Sequence, residues 1–475
     1  MSATGLVGAA RGAREKALAV NLDARRYGTF AEIGAGQEVV RWFFRVGGAA
    51  GTIAKSISAY DMTVSDAIYG PCRRYVCRER LQSMLDHEQQ LLRSRLAEPR
   101  GASTAFFTFA DTVKAKSFRG GDDCHGWMGI AFQAEPGEPE SEIVLHVRLR
   151  DSEAAQQQEA LGIVGVNLVY GAAFLHHDPE VLLQSLLDEL GPERLEIDLI
   201  EFSGHRFLAV DNRVMSLRLV QLGLSGAAAF GPDGSVLQPS ELLHNAPVLV
   251  ERGRFRPVTR VHLDMIRCAS ERFRADLGGQ DPVVLAEITM RNLLAEGELD
   301  LRDFLDRADA LAAMGYSVLI SDYFEYWRLA AYLARHTSGR IGLVMGANLL
   351  QELFNERFYG DLEGGILEAF GRLFRNDLRI YVYPFLDPIG KQLVDLRSLA
   401  VPASLRQLHG FLCERSALVA LGGYDERLLP FYSTEVLDSI RKGDGAWEDA
   451  VPEQVARLVR ERGLFGHPSR RSQRP

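Results

Sequence analysis

An α/β protein of two units with mainly parallel sheets, plus helical N- and C-terminal segments, follows from three features of this sequence. Between residues 283 and 386, short apolar strands alternate with amphipathic helices, and each strand stops at a polar residue. That alternation marks a parallel sheet with crossover helices. From Ala105 a second series of apolar runs, bounded by Gly, Pro and Asp, marks another sheet. The 475 residues also exceed what one hydrophobic core ordinarily supports.

Residues 1–104 read as mainly helical, with glycine-rich breaks at 34–36 and 47–51 and a charged helix at 78–96. Residues 105–260 form the first α/β unit, with strands AFFTFAD, WMGIAFQ, IVLHVRL, GIVGVNLVY, LEIDLIEF and AAAFG. Helices are expected at 179–190 and 212–222, and a hairpin at Gly231-Pro232-Asp233-Gly234. Residues 261–386 form the second unit, the boundary falling between 253 and 282. Its strands VVLAEITM, SVLISDY, RIGLVMGAN and LRIYVYP leave Glu287, Asp322, Asn348 and Tyr383 near their carboxyl ends. Open α/β sheets bind ligands at that edge. Residues 387–465 turn helical again, and the polar, basic tail 466–475 is expected to be disordered.

The composition, 47% hydrophobic and 25% charged, is ordinary for a globular chain, and the formal net charge of -9 disfavours nucleic acid and anionic membranes as partners. Arg73, Arg74, Arg78 and Arg80 are the densest basic group, but Glu79 interrupts them and a solvated helix face accounts for them. Five scattered cysteines and a first segment without a continuous apolar run point to a reducing, cytoplasmic compartment. The apolar stretches read as too short to cross a bilayer, which takes about 20 residues. A small-molecule ligand is the expected partner, and a homo-oligomer remains open.

The segment Phe30-Ala31-Glu32-Ile33-Gly34-Ala35-Gly36-Gln37 combines a strand with a glycine turn ahead of a helix-like stretch. Such a turn brings backbone N–H groups close to a nucleotide or to S-adenosylmethionine, so Gly34, Gly36 and Gln37 are candidate cofactor contacts. The match to a methyltransferase motif is partial: the strand reads short and Gln37 stands where a further glycine belongs. A plain glycine-rich turn is the competing reading.

Asp122-Asp123-Cys124-His125-Gly126-Trp127 is the densest reactive group, near Asp111, Lys114 and Lys116. Cys124 becomes a nucleophile if His125 lowers its pKa, although neighbours on a strand point to opposite faces. No second CxxC or HxxxH cluster completes a metal site, and Cys72, Cys77 and His87 do not have zinc spacing. Arg148, Arg150 and Asp151 close one strand, where pairing with neighbouring acids is the preferred reading, and Glu201, Ser203, Gly204, His205 and Arg206 follow another, where an anion and a neighbouring acid are equally good partners. In the second unit Glu287 and Asp322 are the candidates for acid, base or metal roles; helix capping is the plainer account of Asp322 and Asn348. The metal and the cofactor stay unassigned.

The phrases YGTFAEIGAGQEV, ISAYDMTVSDAIYG, CHGWMGIAFQ, QQQEALGIVGVNLVYG, LVERGRFRPVT and DLEGGILEAFGRLF together resemble a bacterial, cytoplasmic α/β family of unassigned reaction, over nearly the whole chain. Its members carry the labels TonB-dependent receptor or nicotinate-nucleotide adenylyltransferase. The first label implies an outer-membrane barrel of many alternating strands. The second rests on Gly28-Thr29-Phe30, Ile33 and Gly36, which echo the GTF-x-x-I-H-x-G-H signature of nucleotidylyltransferases. Gly34 and Gln37 occupy the histidine positions, so no catalytic residue carries over.

Three functions follow as expectations. The first is a nucleotide or phosphorylated-metabolite protein, acting as an enzyme with its site in a cleft between the units. The others are an S-adenosylmethionine-dependent methyltransferase and a non-enzymatic scaffold or regulatory protein.

Overall fold

Residues 12–117 and 123–468 are described by a computed structural model, which has mixed α/β content and divides the chain into two compact units, Met1–Ala228 and Ala229–Pro475. Residues 469–475 of the tail expected to be disordered from 466 onward, and the candidate Asp122, lie outside the described residues.

In the first unit one six-stranded sheet has the order β2-β1-β3-β4-β5-β6. Its strands are β1 (Arg26–Gly34), β2 (Ile53–Ile57), β3 (Ala105–Lys114), β4 (His125–Phe132), β5 (Ser141–Leu149) and β6 (Leu195–Gly204). β1 runs parallel to β2 and β3, and β3 to β6 form an antiparallel meander. The segment 1–104, expected to be mainly helical, thus supplies two strands, and the glycine turn at 34–36 ends a nine-residue interior strand. The brevity of its apolar run hid it: Gly28 and Thr29 sit in mid-strand because Gly28 leaves room for the Phe107 ring and carbonyl on β3.

Around this sheet lie α1 (Ala13–Asn21), α2 (Val39–Val46), α3 (Met62–Tyr69), α4 (Arg78–Arg100) and α5 (Ala154–Tyr170). Gly129 of β4 faces Leu81 and Leu85, which puts α4 on one side of the sheet. α5 is the segment GIVGVNLVY, expected as a strand. A continuous apolar run does not separate strand from buried helix, and here the helix is apolar all round because its surroundings are. Together with the turn after it, Ala154–Leu175 is also the one helix among the described residues long and apolar enough to cross a membrane, a correction to the expected shortness of every apolar stretch. Of its apolar window 78% is buried within the protein, the state of a core helix.

The second unit holds an eight-stranded sheet of order β16-β13-β12-β9-β10-β11-β7-β8, with β7 (Ala227–Phe230), β8 (Val236–Leu237), β9 (Val248–Arg252), β10 (Val283–Thr289), β11 (Ser317–Ser321), β12 (Ile341–Gly346) and β13 (Arg379–Tyr383). A small hairpin, β14 (Phe385–Leu386) with β15 (Leu393–Val394), separates β13 from β16 (Leu418–Ala420). The ladders from β16 through to β11 are parallel, while β7 and β8 form the hairpin expected at Gly231-Pro232-Asp233-Gly234. The boundary expected between 253 and 282 falls inside this sheet. The helix Arg260–Asp276 is the crossover from β9 to β10, and a crossover between adjacent parallel strands looks like a linker in sequence. These sheets are open, so the barrel implied by the receptor label has no counterpart among the described residues.

Candidate functional site

The antiparallel meander of the first unit sets a row of side chains across three strands. Lys114 pairs with His125, and His125 with Arg148, so all three project from the same face of β3, β4 and β5. One step further in, Trp127 pairs with His146, which places both histidines on that face. His125 Nδ1 and His146 Nε2 are 3.0 Å apart, and His146 Nδ1 lies 2.5 Å from Asp198 Oδ1. Asp198 reaches His146 through an irregularity in the β5–β6 ladder. His146 opposes Leu199 and Val147 opposes Ile197, which leaves Asp198 as the extra residue on β6. A regular ladder would set Asp198 opposite Val147, on the other face, and the bulge turns it back.

Where both rings are neutral, the hydrogen bonds set one tautomer for each. A carboxylate only accepts, so His146 donates from Nδ1 to Asp198 and must accept at Nε2. His125 then donates from Nδ1, leaving its Nε2 lone pair at the half-exposed end of the line. That atom is 3.8 Å from Asp123 Oδ2. Burial, then the neighbouring His146 and Arg148, push His125 down to about 4 against the pull of Asp123 and Asp198, so the ring is neutral at physiological pH. Lys114 Nζ and Arg148 Nη2 lie 3.4 and 3.8 Å from the Asp123 carboxylate, which is 63% exposed. Burial raises Asp123, but His125, Lys114 and Arg148 outweigh it and hold the carboxyl below its usual range. The arrangement therefore offers a base at the end of a buried relay, with two cations beside it.

Cys124 sits buried immediately before β4, and the His125 ring that would activate it is committed through Nδ1 to His146. His146 and Asp198 are the residues that reading the sequence missed. Their signal was a titratable residue in the middle of each apolar strand, His146 in IVLHVRL and Asp198 in LEIDLIEF.

On the opposite face, Glu32 of β1 pairs with Asp111 of β3, and both are almost fully buried. Glu32 accepts from the N–H groups of Val39 and Val40 at 2.9 and 3.4 Å and so caps α2. Burial drives its pKa up to about 8, against those two hydrogen bonds. Asp111 is raised well above the usual carboxylate range, by burial and by Glu32; the N–H of Ile33 opposes this without completing a hydrogen bond, and both carboxyl oxygens are unsatisfied. The pair is thus held protonated. It also accounts for the turn: a Cβ on Gly36 would lie 2.1 Å from Asp111 Oδ1, so this glycine makes room for a carboxyl of the same chain. Gly34 has φ +75°, and Gln37 is exposed with a 3.4 Å bond back to the Gly34 carbonyl.

In the second unit Glu287 is fully buried and held bidentately by Arg252, Oε2 to Nε at 2.8 Å and Oε1 to Nη2 at 2.9 Å, with Ser321 Oγ donating to Oε1 at 2.5 Å. Arg252 also donates to the carbonyls of Tyr323 and Phe324 and stacks on Tyr326. Asp322 is exposed just beyond β11, and it caps nothing: the helix Tyr326–His336 starts after Glu325. Asn348 lies inside the helix Ala347–Leu353. The strand order reverses direction between β9 and β12, and the loop leaving β9 reads RGRFRPVTR, with Arg254 and Arg260 exposed. No group of three or more His, Cys, Asp or Glu suited to a metal occurs among the described residues.

No protein-family model and no curated protein matches the chain. Among solved structures, a competence/damage-inducible protein from Agrobacterium tumefaciens aligns at 15% identity over 33% of this chain and 93% of its own, with a TM-score of 0.24. A competence or damage-inducible protein from Enterobacter asburiae aligns at 14% identity over 34% and 99%, with a TM-score of 0.26. A competence-damaged protein (CinA) superfamily member from Klebsiella pneumoniae aligns at 12% identity over 37% and 99%, with a TM-score of 0.25. At such scores the likeness carries no argument about this chain's chemistry.

Proposed function

We propose that the protein is an enzyme acting on a phosphorylated or otherwise anionic small molecule, with His125 as general base. The observation that carries this reading is the unbroken line from buried Asp198 through His146 to the half-exposed Nε2 of His125. A proton taken at Nε2 is matched by release of the Nδ1 proton to His146, so the charge settles beside Asp198, where it is compensated. Lys114 and Arg148 supply the anion contacts, Arg148 with a planar fork that suits phosphate or carboxylate. The Asp123 carboxylate, near both cations, holds the position such an anion would take.

Thermal unfolding against a panel of nucleotides, sugar phosphates and carboxylates tests the reading. A true ligand at about 100 times its Kd adds about 2.7 kcal/mol of stability. Arg148→Ala is expected to abolish the shift. His125→Gln is expected to keep it while turnover of the compound so identified falls about 100-fold or more. Full turnover in His125→Gln, or no shift with any anion, would sink the proposal.

A second reading rests on the second sheet. Its strand order places a reversal between β9 and β12, where doubly wound sheets take nucleotides at the carboxyl edge, and the β9 loop there is basic. Nucleotide protection that is lost in Arg254→Ala and kept in Arg148→Ala would favour this site over the first.

A further inference from the structure

The second unit has a groove of about 430 Å³ near the beginnings of β12 and β13, at the amino edge of the sheet. Two helices, Tyr326–His336 and Gly365–Leu373, border it. Trp327, Ala330 and Ala334 recur at helical spacing, so the first helix presents one indole and then small side chains to the groove. Arg335, Arg372 and Arg375 complete the rim.

The charges of this rim set it apart in a chain of net charge -9. Arg372 pairs with Glu368 at 2.6 Å and stacks on the Trp327 ring at 4.8 Å. Arg335 meets only aromatic groups, the Tyr332 ring at 5.4 Å and the Tyr323 hydroxyl at 3.5 Å. Among the described residues, neither Arg335 nor Arg375 has a carboxylate at salt-bridge distance, whereas Arg372 on the same rim does. Asn376 follows Arg375 in the left-handed region at φ 57°, inside the 3-10 turn Arg375–Asp377 that comes after the second helix at the rim of the groove.

We infer that this groove binds a small aromatic phosphate, the ring lying over the alanine floor against Trp327 and the phosphate between Arg335 and Arg375. The volume is that of a small-ligand site, alanine side chains line it beside the Trp327 indole, and two guanidinium forks stand at its rim. The site is independent of the acid–base reading of the first unit.

Titration of the full chain with phenyl phosphate, followed by tryptophan fluorescence, tests this. Subtracting the Trp327→Phe variant isolates the relevant indole from the other three. Saturable quenching of Trp327 is expected. Arg335→Ala with Arg375→Ala should weaken it at least 10-fold, inorganic phosphate should compete at least 10-fold less well, and His125→Gln should leave it unchanged. Both arginines are exposed, so unaltered thermal unfolding of the double variant is expected and confirms its fold. No saturable quenching, undiminished binding in the double variant, or equal competition by inorganic phosphate overturns the inference. So does stronger competition by a polyglutamate peptide, which would mark the groove as a protein contact.

Discussion

Glu287 shows how one residue type in one position admits opposite roles until its partners are known. A carboxylate at the end of a parallel strand is where an acid, a base or a metal ligand is sought, yet both its oxygens are engaged by Arg252 and Ser321 in a fully buried setting. Removing one member of a buried pair leaves the other charge uncompensated, which costs about 3–5 kcal/mol. Glu287→Gln is expected to lower stability by that amount in denaturant unfolding. A loss below about 1 kcal/mol would mean that Arg252 finds another partner and that Glu287 is free for chemistry. At the first site the contrast is with Asp123, an exposed carboxylate shared among three cationic or basic groups at 3.4 to 3.8 Å. Exposed pairs contribute little, about 0–1 kcal/mol, so Asp123→Asn is expected to leave stability nearly unchanged. It should tighten binding of a phosphate compound by removing an internal competitor, and weaker binding in isothermal titration would contradict that.

At the level of elements, close approach explains what the chain does with glycine. α5 meets α2 through Gly165, where a Cβ would lie 2.3 Å from Val39 Cγ2. Gly165→Ala gains about 1 kcal/mol of helix propensity but forces an overlap in a packed core, typically costing about 1–3 kcal/mol. A net loss of up to about 2 kcal/mol is expected, and adding Val39→Ala should destabilise by less than the sum of the two single changes. Strict additivity in a double-mutant cycle would show that the helices separate instead. The strands of the second sheet were legible because each is a short, β-branched run bounded by turn residues: VVLAEITM, SVLISDY, RIGLVMGAN and LRIYVYP became β10 to β13. β1 was legible only as a short strand before the glycine turn, because Gly28 and Glu32 break its apolar pattern: Gly28 is explained by Phe107 of β3, 79 residues on, and Glu32 by Asp111 of that strand together with the α2 N–H groups it caps. The relay escaped for the same reason. His125 was visible as a reactive residue, but His146 and Asp198 acquire meaning only through strand register and one bulge, which no local pattern encodes.

For the whole molecule, the buried titratable groups predict an unusual stability profile against pH. Glu32, raised to about 8, and Asp111 and Glu251, each well above the ordinary range through burial, are protonated in the folded chain and ionised in the unfolded one at neutral pH. The folded state therefore binds more protons than the unfolded state once pH passes about 4.5, and each such group removes up to about 1.4 kcal/mol per pH unit as pH rises. Glu32 stops contributing near pH 8, where its folded form also ionises. His125 and His262 act in the opposite sense. Burial lowers both to about 4, and His262 accepts the Thr259 N–H in a helix cap that requires the neutral ring. From about pH 4 to 6.5 the unfolded state binds their protons more readily, so these two groups add stability as pH rises and add nothing beyond. Asp211 and Asp264, held below their usual range chiefly by Arg213 and Arg267 against burial, remove stability only as pH falls below about 4. Between pH 4.5 and 6.5 the two histidines offset two of the three carboxyls, and above that range the carboxyls act alone. Tm is thus expected to be higher at pH 5.5 than at pH 8.5, and Glu32→Gln, which keeps acceptor oxygens for Val39 and Val40, should flatten the fall between pH 6.5 and 8. A Tm that climbs across that interval would mean that water or a cation reaches the Glu32–Asp111 pair and that its carboxyls are ionised in the folded protein.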